Sequence, residues 1–211
     1  MRTAYGPHNI GGSGRTRLFT ASIYGFYPTF RGWRYATTRQ SSRTAMVTLE
    51  EITVIAAPIE RCFDLARSVE VHLFGNVHWG ESAVATAGVT SGLLDLGQRV
   101  TWRAKHFGVW HELLSEITSL YRPLYFQDRM LRGPFRFMEH DHFFRILSSD
   151  STEMKDVFRF AAPLPILGRM AETAVLRQYM QRLLHERNAA IKQIAGSGEW
   201  RRYLPSGKRA S

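Results

Sequence analysis

Between Gly97 and Ala161 the sequence alternates apolar and polar residues in run after run, each closed by Gly, Pro or a polar turn. From about Leu167 to Ala195 it changes, once, to helical spacing. That single change of period, from two to about 3.6, constrains the fold more than any other feature. The alternating runs are Gly97 to Phe107, Val109 to Leu120, Leu124 to Leu131, Phe135 to Leu147 and Glu153 to Ala161. Gly108, Pro123, Gly133-Pro134 and the polar stretch Ser148 to Thr152 separate them, which predicts a meander of hairpins and so an antiparallel sheet. A shorter candidate strand, Glu81 to Ala87, precedes the loops at Gly88 and Gly92. The helical segment, roughly twenty-nine residues or about 43 Å, is long enough to cross such a sheet. Its apolar stripe is read as Leu167, Met170/Ala171, Ala174/Val175, Leu183/Leu184, Ile191 and Ile194, with Gly196 as the stop.

The approach to this region has its own pattern. From Thr48 the chain alternates, with Ile52, Val54 and Ala56 on one face of a strand. Pro58 then suits the first turn of a helix carrying Ile59, Cys62, Phe63 and Ala66, and a second short helix spans about Val69 to Phe74. The order is strand, two short helices, six strands, long helix. It predicts an α+β layer architecture, a curved antiparallel sheet of about seven strands wrapped around a long C-terminal helix.

The net charge of +10 invites a nucleic-acid or anionic-membrane partner until its location is read. Residues 1–45 hold seven arginines and no acid, and the segment after Ala195 holds four basic residues against Glu199. Residues 46–194 carry 17 basic and 17 acidic side chains, so the patterned body is neutral and no nucleic-acid partner is expected. Patterning begins at Met46, and residues 1–45 are read as a disordered or mis-started extension. Residues 46–196 are then one folded domain and 197–211 a basic, solvated tail. No run reaches the eighteen or so apolar residues of a membrane span. The lone Cys62 lies on an apolar helix face and reads as a buried structural thiol, so a cytoplasmic setting is expected.

Several segments taken together resemble a known family. They are Ile55-Ala-Ala-Pro-Ile-Glu-Arg-Cys-Phe63, Gly97-Gln-Arg-Val-Thr-Trp-Arg-Ala-Lys-His-Phe-Gly108, Phe126-Gln-Asp128, Gly133-Pro-Phe-Arg-Phe137, His140-Asp-His-Phe143, Thr152-Glu-Met-Lys-Asp156, Arg187-Asn188 and Trp200-Arg-Arg-Tyr203. Over about 46–204 the chain resembles the START-like, helix-grip superfamily, and within it the bacterial SRPBCC proteins labelled cyclase/dehydrase or cell-division protein. The resemblance implies a deep cavity between sheet and long helix that takes an apolar ligand. It implies no cofactor or metal and fixes no reaction, because one fold serves carriers, cyclases and regulators alike.

Strand parity sorts the polar residues by face. The cavity face gathers Trp102 and His106 with Asp128, Met130, His140, His142, Phe144, Met154, Asp156 and Phe158. Among these, His140, His142, Asp128 and Asp156 are the candidates for catalysis, because an imidazole beside a carboxylate can move a proton α to a carbonyl. The plainer reading is that these Asp and His side chains satisfy each other in the sheet wall. His140-x-His142 also has metal-ligand spacing, a weak signal by itself. A loop from Asn76 to Glu81, with His78 and Trp79, is a candidate gate. The expected function is binding of a hydrophobic small molecule such as a polyketide, quinone or lipid. A polyketide cyclase or aromatase using the His and Asp groups is the alternative, and a cell-division-associated regulator comes third.

Overall fold

Among the described residues alternation produces seven strands, and hydrogen bonding ties all of them into one antiparallel sheet. In the computed structural model the described residues are 46–77, 82–84, 87–162 and 169–204. The expectations for 1–45, for His78 and Trp79, for the far end of the tail and for Leu167 fall outside them, as do the side chains of Met170 and Ala171. The elements run β1 (Met46–Ile55), α1 (Ile59–Ala66), α2 (Val69–Gly75), β2 (Ser82–Val84), β3 (Arg99–His106), β4 (Val109–Tyr121), β5 (Tyr125–Arg132), β6 (Phe137–Ser148), β7 (Ser151–Ala161) and α3 (Arg169–Gly196). A 3₁₀ turn at Gly198–Arg202 follows. The strand order is β1-β7-β6-β5-β4-β3-β2, so β2 through β7 form a meander and β1 closes against β7. β1 and β7 pair without interruption from Met46 opposite Ala161 to Ile55 opposite Thr152. The curled sheet, the two short helices after its first strand and the long last helix agree with the architecture predicted from the change of period.

Two apolar clusters fill the interior. Phe63 of α1 meets Phe126 and Phe144 edge-on, with ring centroids 5.5 and 5.3 Å away. Met154, Ile191 and Ile194 complete that cluster, each fully or almost fully buried. Leu49, Met138, Phe158, Phe160 and Leu184 form the second. Full burial of side chains this size contributes roughly 1.5–3 kcal/mol each. Cys62 is buried, its thiol 3.7 Å from the Ala57 carbonyl oxygen and its pKa pushed up by burial, which fits a structural thiol.

One detail of phase was left open by the sequence expectation and one differs from it. On β1 the inward residues are Leu49 and Ile55, while Ile52 and Val54 are 60% and 47% exposed on the outer face. Glu51 shares the inward face and meets His185 Nδ1 at 3.0 Å. Parity alone identified the strand but not which side faced α3. On α3, Val175 is exposed and Leu176, Tyr179 and Met180 carry the inward stripe instead. Nine residues before Leu184 is about 900° of rotation, hence the opposite side of the helix.

The segment after Gly196 also differs from a solvated tail as far as residue 204. Tyr203 and Leu204 pack on the first cluster, and Arg61 lies over the Trp200 ring at 4.4 Å. The same Arg61 donates to the Ala195 carbonyl at 3.0 Å, tying α1 to the end of α3. Among the described residues no helix is long and apolar enough to cross a membrane.

Candidate functional site

Where α3 crosses the sheet it leaves a cavity of about 390 Å³, within the ordinary size range of small-molecule sites. Its walls are largely apolar: Trp102 and Ala104 of β3, Leu113 and Ile117 of β4, Phe126 of β5, Met138 of β6, Phe158 of β7 and Leu176, Met180, Leu183 and Leu184 of α3. Polar side chains reach it around Arg67, Ser68, His72 and Asn76, at Ser115, and in two further groups. His106, His111 and Tyr179 stand beside Phe107, and Asp128, His140 and Arg187 form a second group on the sheet side and α3.

At the first place, His106 and Val109 pair across a two-residue turn made of Phe107 and Gly108, both with positive φ (51° and 80°). That is the backbone of a type I′ hairpin turn, which suits Gly108 and strains Phe107. The Phe107 side chain is 65% exposed, and its ring lies 4.5 Å from that of Tyr179. The Tyr179 hydroxyl and His106 Nδ1 are 2.6 Å apart. The hairpin turn and α3 are thereby linked at one rim of the cavity.

At the second place two histidines two residues apart on β6 project to the same face, and two carboxylates flank them from the neighbouring strands. The register sets Asp128 opposite His140 and Asp156 opposite His142. His140 Nε2 is 2.9 Å from Asp156 Oδ1, and its Nδ1 is 3.9 Å from Asp128 Oδ2. His142 Nε2 is 3.2 Å from the same Asp128 oxygen. His142 Nδ1 comes within 2.7 Å of Asp156 Oδ1 but off the direction in which a ring N–H donates, so the approach is electrostatic and makes no hydrogen bond. Asn188 Nδ2 donates to Asp156 Oδ2 at 2.8 Å, while Arg187 spans Asp156 (3.5 Å) and the Ala66 carbonyl (3.0 Å).

Burial by itself would raise the pKa of both carboxyls. The His140 hydrogen bond and the proximity of His142 overcome this and hold Asp156 well below the usual carboxylate range. The His142 hydrogen bond and the charges around it do the same, less strongly, for Asp128. His140 moves the other way: burial, with His142 beside it, outweighs the carboxylates and lowers it to about 4. A neutral His140 that donates from Nε2 to Asp156 carries its lone pair on Nδ1, toward Asp128 and the cavity. The opposite face of the same strand is already satisfied. Asp141 there accepts from Tyr125 (2.7 Å) and Gln127 (2.8 Å) and pairs with Arg159.

Of the residues read from the sequence as the cavity face, Trp102, His106, Asp128, His140 and Phe158 border the cavity. His142, Asp156, Met154 and Phe144 lie behind its wall: the first three are fully buried and Phe144 is 5% exposed. Met130 packs against the second apolar cluster and does not line the space. The sequence reading did not include His72, Asn76, His111, Tyr179 and Arg187 among the lining residues. His72 stacks on Trp102 with ring centroids 3.9 Å apart. Arg187 and Asn188 left a legible signal, because both occupy the helical stripe between Leu184 and Ile191, where apolar residues would continue it.

This architecture has solved counterparts. An aromatase/cyclase (Zhui) from Streptomyces sp. R1128 superposes with a TM-score of 0.55 at 17% identity, over 77% of this chain and 99% of that one. The fold is the helix grip of START-like proteins. A START superfamily protein from Mycobacterium smegmatis matches this helix-grip chain with a TM-score of 0.53 at 14% identity, over 70% of this chain and 96% of its own. Norcoclaurine synthase from Thalictrum flavum, solved with dopamine and hydroxybenzaldehyde, gives 0.51 at 11% identity, over 72% and 87%. No family model and no curated protein matches the sequence. At these identities the likeness concerns the helix-grip fold alone.

Proposed function

We propose that this helix-grip protein binds a hydrophobic small molecule, of polyketide, quinone or lipid-like character, between the sheet and α3. The observation that carries this reading is the cavity of about 390 Å³, walled mainly by apolar side chains with fewer polar groups among them. Apolar walls supply affinity, and a few fixed polar groups orient the ligand. The ligand's oxygen-bearing end belongs beside Asp128, His140 and Arg187, where a carboxylate, an imidazole and a guanidinium meet. The solved aromatase/cyclase and norcoclaurine synthase make such an occupant plausible for the fold. A cell-division regulator without a ligand would fill its interior, and this cavity speaks against that reading.

A second reading has its own support. His140, oriented by Asp156 at 2.9 Å, presents Nδ1 as a general base at the cavity edge, which suits an aldol-type cyclase or aromatase. One experiment separates the two. The purified full chain is analysed by native mass spectrometry for a co-purified apolar ligand, then incubated with a poly-β-ketone. Retention without conversion fits the binder. Conversion that disappears in His140→Ala fits the cyclase. Absence of any apolar ligand or probe binding removes both.

A further inference from the structure

Around Asp128, His140 and His142, one ligand atom from each residue lies within 4.8 Å of the others. The nitrogens nearest Asp128 are His142 Nε2, 3.2 Å from Oδ2, and His140 Nδ1, 3.9 Å from the same oxygen. Two ligands each about 2.0–2.1 Å from one tetrahedral ion stand about 3.3 Å apart. The first separation already has that value, and the second needs to contract by roughly half an ångström on the same standard. The far nitrogens of both rings converge on one other atom. Asp156 Oδ1 is 2.9 Å from His140 Nε2 and 2.7 Å from His142 Nδ1. A histidine that binds a metal through one nitrogen characteristically gives the other to a carboxylate, which fixes the ring and raises its basicity. Here one fully buried carboxylate, itself held by Asn188 and Arg187, takes His140 Nε2 in a hydrogen bond and stands 2.7 Å from His142 Nδ1 without one.

We propose that Asp128, His140 and His142 form a binding site for a divalent first-row transition metal, with Asp156 as the positioning carboxylate behind it. Two imidazoles and one carboxylate match Zn²⁺ or Fe²⁺ and are a poor set for Mg²⁺ or Ca²⁺, which prefer oxygen. Three protein ligands leave coordination positions open, and Asp128 and His140 both border the cavity, so those positions face it. The second rim of the cavity offers a competing pair, His106 and His111, with ring centroids 6.1 Å apart. That pair serves as the control.

The untagged full chain, treated with chelator and dialysed, is titrated calorimetrically with Zn²⁺ and followed by visible absorption with Co²⁺. The expected result is one saturable high-affinity ion per chain, unaffected by millimolar Mg²⁺. Asp128→Asn, nearly isosteric and at the cavity wall, and His140→Gln each weaken binding at least tenfold. Asp156→Asn weakens it by about 10–100-fold, as loss of a supporting carboxylate does elsewhere. A small hydroxamate shifts the Co²⁺ bands through an open position. His111→Gln leaves all of this unchanged. Absence of saturable binding, or affinity retained in both Asp128→Asn and His140→Gln, overturns the site, as does loss in His111→Gln alone. Binding of an apolar fluorescent probe by the same metal-free sample is measured alongside. Its persistence without metal uptake sinks the metal site and leaves the ligand cavity standing.

Discussion

Gly75, the last residue of α2, faces Arg187 of α3 so closely that a Cβ there would come within 3.1 Å of the Arg187 Cα. The neighbour is helix backbone, which cannot swing aside as a side-chain tip can. The contact fixes the height of α3 over α2, and with it the position from which Arg187 reaches Asp156 and the Ala66 carbonyl. Gly75→Val is expected to destabilise the fold by about 1–3 kcal/mol through overpacking. Urea unfolding measures it, and an unchanged midpoint would show that α3 shifts freely.

The two carboxylates and His140 make the metal-free protein sensitive to acid. His140 has its pKa lowered to about 4, so between that value and the ordinary 6.5 the unfolded chain holds a proton that the folded chain lacks. Stability therefore rises with pH across that window and falls as pH drops from about 6.5 to about 4. Asp156 and Asp128, both held low, extend the loss below the ordinary carboxylate range. The loss assigned to His140 is on the order of 3 kcal/mol. His140→Gln should flatten the pH 4–6.5 limb of a stability profile and also weaken the acid limb, because His140 helps hold Asp156 low. An unchanged slope in that window would remove His140 as its source.

Removing Asp156 strips partners from several buried groups at once: His140 Nε2, Asn188 Nδ2 and the Arg187 guanidinium. Asp156→Ala should cost about 3–5 kcal/mol, the scale for breaking a buried ionic contact from one side. Asp141→Ala, on the outer face of the sheet, serves as the comparison, since Arg159 is partly solvated there. Thermal unfolding of the two variants at pH 7 decides the order.

Phe107 occupies a left-handed backbone position that costs an ordinary residue about 1–2 kcal/mol, and recovers part of this through its ring contact with Tyr179. Phe107→Gly relieves the strain and opens that rim. Stability should change by less than about 1 kcal/mol because the two effects oppose each other. The release rate of a bound apolar probe should rise severalfold, read by stopped-flow fluorescence. Equal rates in both proteins would mean that ligands leave elsewhere.

The meander was legible because each strand carries its own alternation and each turn its own Gly, Pro or polar cluster, so local signals sufficed. The resemblance then supplied the cavity. Phase was harder to read. Ile52 and Val54 look like core residues in isolation, yet the curl of the sheet turns Leu49 and Ile55 inward. The polar cluster was half legible: parity grouped Asp128, His140, His142 and Asp156, but not which of them reach open space. His142 and Asp156 are covered because Arg187 and Asn188 of α3 come down over the same spot, a long-range fact that no strand pattern encodes. Trp200, Tyr203 and Leu204 lay in a segment dominated by basic residues, and charge concealed their packing.

The pairing of β1 with β7 has a consequence for how the chain comes to be folded. Met46 finds its partner at Ala161, so this ladder joins segments more than a hundred residues apart, the kind of non-local contact that slows folding. During synthesis β1 emerges long before β7, with Ile52 and Val54 unpaired beside it, and an unpaired apolar strand edge is a template for other chains. The acids Glu50 and Glu51 interrupt that edge. Until β7 arrives, those two charges are the local deterrent against pairing with the wrong strand.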